Sequence, residues 1–466
     1  MPNDAQNVTW VPTVKKTDGP MYLSIADAIE GDIQAGVLKP GQRLPPQRAL
    51  ATALNIDFKT VSRAYAAAGK KGLVEGRVGQ GTYVKDLQQE RVAQTTAKKD
   101  QPVDMSMNMP PRFENEVLFR KMWDGFQDLG ADQGENFLMR YQRPGGSAAD
   151  CDAGQRWLHD SFGLSQAGEV VLCNGVQGAV LSIASLILKP GDTVCCEELT
   201  YPGFLAVAKY LDLKVVSIAM DDGGLDPDAL AKVCKEHQPV ALYTTPTLHN
   251  PTATTLSSDR RSNISEIARI YNLTIIEDNA YGALATDAPP PLAHFAPELT
   301  WHVASTSKCL APSLRVCFVL PPEGVGTEGI RRAISANGGI VSPISAGLAT
   351  TWINSGLAPK ITSAIRTETQ RRQETFRDVL PSATVQKDAF HIWLPIPKEQ
   401  SATELLLGLR GIGIGLVPGR AFAVGNPPNA IRVALGSADN LKELRADLRS
   451  LADALDNPQE SSWMVV

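Results

Sequence analysis

The chain has 466 residues, of which 43% are hydrophobic and 20% charged, and its formal net charge is −5. This length is too great for one ordinary core and predicts two or three domains, and the composition excludes a chain that is disordered overall. No apolar run approaches the roughly 20 residues of a membrane span, and the start, "MPNDAQNVTW", lacks the pattern of an export signal. We therefore expect a cytoplasmic protein that does not enter the membrane.

The charge is unevenly distributed along the chain. Residues 20–85 hold nine Lys and Arg against five Asp and Glu, a net of +4, which leaves −9 for the rest. A small basic module on an acidic body indicates that only the N-terminal part meets a polyanion. The seven cysteines form no C-x-x-C pair and have no histidine partners at metal spacing, so we expect buried thiols and no metal site.

Residues 20–85 are predicted to form a winged helix-turn-helix. Apolar residues recur at helical spacing in "LSIADAIEGDIQAGVLKPG", "LPPQRALATALNI" and "DFKTVSRAYAAAGKKGL", and "LVEGRVGQGTYV" is typical of a hairpin with a glycine-rich tip. We expect the third helix to enter the DNA major groove, with Thr60 and Arg63 near base edges or phosphates. The tip, from Arg77 to Gly81, is expected to approach the DNA backbone. The alternative is a small helical protein-interaction domain with a solvated basic face.

Two stretches of this module, "RLPPQRALATAL" and "TVSRAYAAAGKKGLVEGRVGQGTYV", resemble the GntR-type winged-helix DNA-binding domain. The resemblance implies binding to double-stranded operator DNA. It assigns phosphate or base contacts to Arg48, Thr60, Arg63, Gly79 and Gly81. Pro46 stands where such domains usually have a serine, which removes one candidate hydrogen bond to a phosphate.

Residues 86–103 are polar and lack apolar periodicity, so we predict a linker there. From residue 104 to residue 466 the chain alternates apolar, β-rich runs with stretches of helix length. The runs are "EVVLCNG", "TVCCEE", "KVVSIAM", "VALYTTP", "TIIEDNA", "HVAST" and "RVCFVLPP". This alternation predicts the α/β class, with a large, mostly parallel sheet covered on both faces and a smaller α+β lobe at about 336–460.

Ligands of such sheets bind at the carboxyl ends of the strands, and here those ends carry polar groups. After "CNG", the backbone N–H groups of Val176 and Gln177 can hold a phosphate at a helix N-terminus. Tyr201 can lie flat on a planar ligand, and the amide of Asn250 can donate to a ligand oxygen. Each feature also has a structural explanation: a glycine turn between strand and helix, core packing of the ring, and an Asn-Pro turn.

Two further strand ends carry ionisable groups. "IIEDNAYGAL" ends its strand in Asp278, a carboxylate that requires a cationic partner when buried, with Tyr281 three residues on; a helix cap is the alternative role. In "ASTSKCLAPSLRVCF", Lys308 follows a strand, and a desolvated lysine near another cation loses its proton readily and attacks an aldehyde. Ser305 and Arg315 are then placed to bind a phosphate dianion.

Pyridoxal phosphate satisfies all of these groups at once. In this interpretation Lys308 takes the aldehyde, Asp278 the ring nitrogen, Tyr281 and Asn250 the ring oxygen, Tyr201 the ring face, and Ser305, Arg315 and the amides of Val176 and Gln177 the phosphate.

The body, from about 104 to 466, resembles fold-type I pyridoxal-phosphate aminotransferases in "HNPTA", "DNAY", "STSKCLAPSLR" and "NAIRVAL", with Ala253 in place of a family glycine. The resemblance implies catalytic roles for Lys308, Asp278 and Tyr281. It implies that the cofactor is held as an internal aldimine on the lysine and that Arg432 grips a substrate or effector carboxylate. It also implies a homodimer in which Tyr141 of "YQRPGG" reaches the phosphate in the partner subunit.

The two domains together resemble the MocR subfamily of bacterial transcription regulators over nearly the whole chain. The resemblance implies a dimeric regulator that binds operator DNA, at the nucleoid, and senses pyridoxal phosphate and an amino-acid-like or amine effector. An effector amine that releases Lys308 can change lobe closure and so the placement of the DNA-binding heads. One alternative is a live aminotransferase with a DNA-binding head, because no catalytic residue is missing. The other is a scaffold that binds no cofactor.

Overall fold

The computed structural model describes residues 10–13, 20–71, 73–77, 81–85, 108–133, 139, 141–164, 168–409 and 414–456. The chain divides into two compact units, Met1–Pro102 and Val103–Val466. The domain boundaries given above, at 20–85, 86–103 and 104–466, remain predictions, and residues 86–107 lie outside the described part.

The described residues of the first unit form three helices and a two-stranded hairpin. The elements are α1 (Met21–Gln34), α2 (Gln47–Leu54), α3 (Phe58–Lys70), β1 (Val74–Arg77) and β2 (Gly81–Val84). The two strands pair antiparallel, with Arg77 opposite Gly81. Asp57 caps α3, because its side chain accepts a hydrogen bond from the backbone N–H of Lys59 at 2.6 Å. The arrangement is the winged helix-turn-helix that the apolar spacing predicts.

The core of this unit also includes a residue that precedes the predicted domain. Trp10 is buried together with Ile25 and Ile29 of α1 and Val61 of α3. Its indole Nε1 donates a hydrogen bond to Asp32 Oδ2 at 2.8 Å. Trp10 is therefore part of the core of the folded winged helix.

The body is built on a seven-stranded sheet in the order β3-β11-β10-β9-β8-β4-β5. These strands are β3 (Val171–Asn174), β4 (Thr193–Glu197), β5 (Lys214–Ile218), β8 (Ala241–Thr244), β9 (Thr274–Asp278), β10 (Thr300–Ser305) and β11 (Val316–Leu320). Strands β4, β5, β8, β9 and β10 pair parallel, and β11 runs antiparallel to β10 and β3. A short hairpin, β6 (Met220–Asp221) with β7 (Gly224–Leu225), lies outside this sheet. The sheet is mostly parallel, as predicted.

Helices cover both faces of the sheet. They are α4 (Glu116–Gln133), α5 (Ala148–Phe162), α6 (Gly175–Ile187), α7 (Pro202–Tyr210), α8 (Pro227–His237), α9 (Ser258–Tyr271), α10 (Leu292–Phe295), α11 (Glu328–Ala336) and α12 (Pro343–Asn354). Neighbouring strand residues such as Ile275 and Ile276 belong to separate apolar clusters, one containing Ile264 of α9 and the other Ile183 of α6. Burial on both faces explains why the strands are continuous apolar runs.

The C-terminal part of the body forms the smaller α+β lobe. It contains a three-stranded antiparallel sheet in the order β12-β14-β13. Its elements are α13 (Ala358–Val379), β12 (His391–Pro395), α14 (Ala402–Gly408), β13 (Gly415–Pro418), β14 (Ala430–Ala434) and α15 (Leu441–Asp456). Arg432 lies on the central strand, β14, between partners on β12 and β13.

All seven cysteines are buried and unpaired. Within the described ranges, none of the helices combines the length and the apolarity that a bilayer crossing demands.

Candidate functional site

A cavity of about 290 Å³ opens where the central strands of the large sheet end. It receives all but one of the site residues predicted for the body. The predicted residues on its wall are Lys308, Asp278, Tyr281, Asn250, Tyr201, Ser305, Arg315, Val176, Gln177 and Arg432. Most of these residues are adjacent because the parallel strands end at the same edge of the large sheet, whereas Arg432 reaches the cavity from β14 of the small lobe.

Tyr141 is the predicted residue that does not line this cavity. Its side chain is fully exposed to solvent. It borders a second cavity, of about 760 Å³, whose wall also includes Arg315 and Asn174. The role predicted for Tyr141 involves a second subunit and stays a prediction.

Asp278 is a buried carboxylate at the end of β9. Its Oδ2 accepts a hydrogen bond from Tyr243 Oη at 2.6 Å, and its Oδ1 accepts one from the backbone N–H of Ala280 at 3.2 Å. Burial raises the pKa of Asp278 to about 6, although the bond from Tyr243 opposes the rise. The carboxyl group is thus still largely ionised at neutral pH and presents negative charge to the cavity.

Lys308 projects its amine into the same cavity. Burial first, and then the positive charges of Arg432 and Arg315, lower the pKa of Lys308 to about 8, and Asp278 opposes them. The Nζ atom donates a hydrogen bond to the main-chain oxygen of Asn108. About a tenth of this amine is therefore neutral, and nucleophilic, at pH 7, far more than for an exposed lysine.

Tyr281 and Asn250 lie on the wall between Asp278 and Arg432. Tyr281 Oη accepts a hydrogen bond from Asn108 Nδ2 at 3.0 Å, and burial raises its pKa to about 12. Asn250 Oδ1 accepts a hydrogen bond from Arg432 Nη1 at 2.8 Å, which leaves the Asn250 amide N–H groups as the donors predicted for this position.

One end of the cavity is suited to an anion. Helix α6 begins there at Gly175, and its N-cap residue, Asn174, makes no side-chain capping bond. The Arg315 guanidinium lies so close that a Cβ on Gly175 would approach its Cζ to 3.1 Å. Ser305 is buried beside them, and its Oγ accepts a hydrogen bond from Ser307 N at 3.1 Å. A helix N-terminus, a guanidinium and a hydroxyl together favour a phosphate.

Several residues of the site were not identified from the sequence. Tyr243 supports Asp278 and stacks on Phe204 at 4.1 Å between ring centroids. Asn108 contacts both Lys308 and Tyr281. Glu197 is buried behind the cavity, bonded by Thr244 Oγ1, and burial raises its pKa to about 7. The signal for Tyr243 and Glu197 was a polar group inside or at the end of a buried strand, whereas Asn108 gave none.

Three of the predicted DNA-binding residues lie on helices, Arg48 on α2 and Thr60 and Arg63 on α3. Thr60 and Arg63 are on α3, away from the buried face, and the Arg63 guanidinium lies 4.2 Å from the Tyr22 ring centroid. The Arg48 guanidinium lies 5.8 Å from the Phe58 ring centroid. Both distances are within the range of cation–π contacts, which favour these positions of the two cations.

The hairpin carries the remaining predicted DNA contacts. Gly81 has a φ of +110°, and a Cβ there would lie 2.9 Å from Arg43 Nε, so this position favours glycine. Arg43, which the sequence did not single out, is thereby a further cation beside the tip end of the hairpin. Gly79 lies outside the described residues.

The chain matches two protein families. Residues 21–84 match the gntR family of bacterial regulatory proteins, and residues 100–448 match aminotransferase class I and II. The chain is 31% identical over 456 residues to the uncharacterized HTH-type transcriptional regulator YdeF of Bacillus subtilis, covering 97% of each. It is 24% identical over 445 residues to PtsJ of Salmonella typhimurium, a vitamin B6 salvage pathway transcriptional repressor, covering 92% of this chain and 98% of PtsJ.

Solved aminotransferases share the fold of the body. Kynurenine aminotransferase of Pyrococcus horikoshii aligns with a TM-score of 0.67 and 21% identity, over 80% of this chain and 95% of its own. LysN, the alpha-aminoadipate aminotransferase of Thermus thermophilus, aligns with a TM-score of 0.65 and 21% identity, over 78% of this chain and 94% of its own. The body therefore has the fold-type I aminotransferase fold.

Proposed function

This chain belongs to the aminotransferase class I and II family and carries a GntR-type DNA-binding domain, and from this premise we propose that it is a transcriptional regulator. It binds operator DNA through the winged helix, and its DNA affinity or the placement of its heads depends on pyridoxal phosphate and an amino-acid-like or amine effector. The relatives that match nearly the full chain are named as transcriptional regulators.

One observation carries the proposal: a winged helix with stacked, outward cations and a cavity with a complete set of aldehyde-, ring- and phosphate-binding groups occur on one chain. A winged helix alone would be a DNA-binding module without a signal. A cavity alone would support an enzyme. Their fusion supports a regulator whose signal is the small molecule in the cavity.

Pyridoxal phosphate is the cofactor of this aminotransferase family, and the residues of the cavity fit it. When bound, it supplies an aldehyde carbon that amines attack and a ring that accepts electron density. The buried Asp278 is suited to a protonated ring nitrogen, and the Lys308 amine is suited to the aldehyde. Arg315 and Ser305, with the first N–H groups of α6, are suited to the phosphate.

Arg432 defines the chemical class of the effector. Its guanidinium is buried on the cavity wall, held by Asn250 and lying 5.0 Å from the Phe422 ring centroid. A buried guanidinium favours a carboxylate, because a bidentate contact offsets its loss of hydration. An effector with an amine for the site of Lys308 and a carboxylate for Arg432 fits both ends.

Exposed apolar side chains on the body support a homodimer. Val117, Trp123 and Phe126 are exposed on α4, at 63%, 69% and 42%. Met139 and Tyr141 add further exposed apolar surface. Clustered apolar residues of this kind mark protein interfaces, and a two-fold dimer is the commonest assembly that covers them. We propose that this regulator acts in the cytoplasm, as a dimer associated with the nucleoid.

A second candidate, an active aminotransferase, is favoured by one observation. The Lys308 amine has a pKa lowered to about 8, by burial first, and that suits proton transfer as well as cofactor attachment. The same residues would then orient a substrate amine and move its proton, and the winged helix would regulate the enzyme or serve a second role.

Absorbance separates the two candidates. The wild-type protein and a Lys308→Ala variant are loaded with pyridoxal phosphate, and amino acids and amines are titrated while visible spectra are recorded. We expect one compound to give a stable, saturable shift in the wild type without release of keto acid. Keto acid released over many turnovers would establish the enzyme instead. A wild-type protein that takes up no cofactor would contradict the proposal.

A further inference from the structure

Lys308 donates a hydrogen bond to Asn108, the residue at which the described part of the body begins. Asn108 is the first described residue after the segment that continues to the winged helix, and it is only 4% exposed on the cavity wall. Its main-chain oxygen accepts a hydrogen bond from Lys308 Nζ, and its Nδ2 donates one to Tyr281 Oη at 3.0 Å. One residue thus contacts two groups that the proposed function assigns to the cofactor.

The same stretch is fixed on its other side by the small lobe. A Cβ on Gly436, just beyond β14, would lie 1.8 Å from the main-chain oxygen of Met109. Arg112 Nη1 pairs with Asp439 Oδ1 at 3.0 Å on the surface. Residues 108–112 therefore run from the cavity across the lobe that carries Arg432. At Gly436 the two backbones are so close that a side chain would not fit between them.

The side chain of Asn108 also has an unused acceptor. Its Oδ1 is buried and has no hydrogen-bond partner among the described residues. A buried acceptor without a donor is unfavourable, so a ligand that offers an N–H or O–H at this point would be bound by it. The residue is placed to respond to what occupies the cavity.

Resting on the proposed function, we propose that Asn108 is the positioning residue through which occupancy of the cavity acts on the chain that leads to the winged helix. Its carbonyl accepts a hydrogen bond from Lys308 only while that amine is free. If Lys308 held the aldehyde carbon of pyridoxal phosphate, the two hydrogens of its neutral amine would leave with the aldehyde oxygen as one water, and the nitrogen would no longer be the free amine that donates to Asn108. The Asn108 carbonyl then lacks its donor, and residues 108–112 settle in a different position.

The test uses the full-length protein, with pyridoxal phosphate as the ligand. DNA affinity for the protein's own upstream region is measured without and with saturating cofactor, at one salt concentration, for the wild type and Asn108→Ala. Cofactor binding and the pH midpoint of the bound chromophore are recorded on the same samples. Arg112→Ala is the matched control, because it releases the same stretch at the surface without touching the cavity.

We expect the wild-type affinity to change by about fivefold or more on cofactor binding, within the usual range of allosteric coupling. Alanine keeps the main-chain carbonyl but loses the Nδ2 bond to Tyr281 that holds this carbonyl in place, so in Asn108→Ala the change should fall to within about twofold. The cofactor should still bind, and the chromophore midpoint should move because Tyr281 loses a donor. Arg112→Ala should keep the wild-type change. Asn108→Ala with a wild-type response overturns the proposal.

A second measurement requires no variant. Hydrogen exchange of the backbone amides in residues 108–112 is compared without and with pyridoxal phosphate, and we expect the protection to change. Unchanged protection overturns the role of Asn108. If the wild-type protein binds its upstream DNA specifically but with the same affinity with and without cofactor, the role of Asn108 is also overturned. The protein would then still be a transcriptional regulator. Loss of specific DNA binding in the wild type refutes the proposed function itself.

Discussion

At the scale of single residues, the reactivity of Lys308 is set by its surroundings. Removal from water lowers its pKa to about 8, and two guanidinium groups, Arg432 and Arg315, act in the same direction against Asp278. An exposed lysine has a pKa of about 10.4. The same burial raises the pKa of Asp278, so the pKa values of the two groups move toward neutral pH from opposite sides.

This lowered pKa predicts the pH dependence of cofactor capture. Only the neutral amine attacks an aldehyde, so the rate constant for attachment to cofactor-free protein should rise about tenfold per pH unit below about 8. It should level off above that value. Stopped-flow absorbance between pH 6 and 10 measures it. A rate that continues to rise beyond pH 9.5 would show that Lys308 behaves as an exposed lysine.

Asp278→Asn tests the partner of the ring nitrogen. The change keeps the shape and the contact with Tyr243 but removes the charge, and a hydrogen bond to a charged group contributes about 1.5–3 kcal/mol. The dissociation constant for pyridoxal phosphate should therefore rise roughly 10- to 150-fold. Asp453→Asn, at an exposed position on α15, is the control and should bind as the wild type does. Equal affinity in both variants would remove Asp278 from the site.

The residues of the cavity were predictable where a polar or ionisable residue stands at or just after the end of an apolar strand. Asp278 ends an apolar strand, Lys308 follows another, and Arg315 lies seven residues further on; the structure places all three around one cavity. Asn108 was not predictable, because it lies in an irregular stretch and reaches Lys308 across 200 positions of sequence. Packing alone brings it there.

At the scale of elements, the close contact at Gly436 supports the stretch after the linker. Gly436→Ala should displace Met109 and lower the free energy of unfolding of the body by about 1–3 kcal/mol, the usual cost of overpacking. Gly326→Ala, where an added Cβ meets no atom within 4 Å, is the control. Chemical denaturation measures both. A Gly436→Ala variant as stable as Gly326→Ala would mean that the contact relaxes without cost.

Trp10 gives the corresponding test in the winged helix. Trp10→Ala removes a buried ring and the bond to Asp32, and such truncations cost about 3–5 kcal/mol. The midpoint temperature of thermal unfolding of the first unit should therefore fall, while the absorbance of the cofactor bound to the body should not change. Val11→Ala, at a position 46% exposed, should leave the transition in place. An unchanged transition in Trp10→Ala would place the residue outside the folded unit.

The elements themselves followed closely from the sequence. Buried parallel strands must be apolar on both faces, so β4, β8 and β9 appeared as continuous runs, and α3 appeared from the spacing of Val61 and Tyr65. Trp10 could not be placed in this way, because one aromatic residue in a short segment has no periodicity.

In the whole molecule, ligand binding in the cavity and DNA binding by the winged helix are thermodynamically linked. A ligand in the cavity can alter DNA affinity only if it binds two arrangements of the chain with different free energies. Asn108 provides two such arrangements. Its carbonyl accepts a hydrogen bond from Lys308 while the lysine amine is free, and it lacks this bond when the lysine is attached to the cofactor. Reciprocity then requires that operator DNA change the affinity for the cofactor by the same factor.

The most direct measurement is the affinity of the full-length, cofactor-loaded protein for its own upstream DNA and for a scrambled sequence of equal length, at matched salt. We predict binding to the upstream DNA that is tighter by about 1,000-fold or more, with a steep loss of affinity for both sequences as salt rises. Equal affinity for the two sequences would contradict the claim that this protein is a transcriptional regulator.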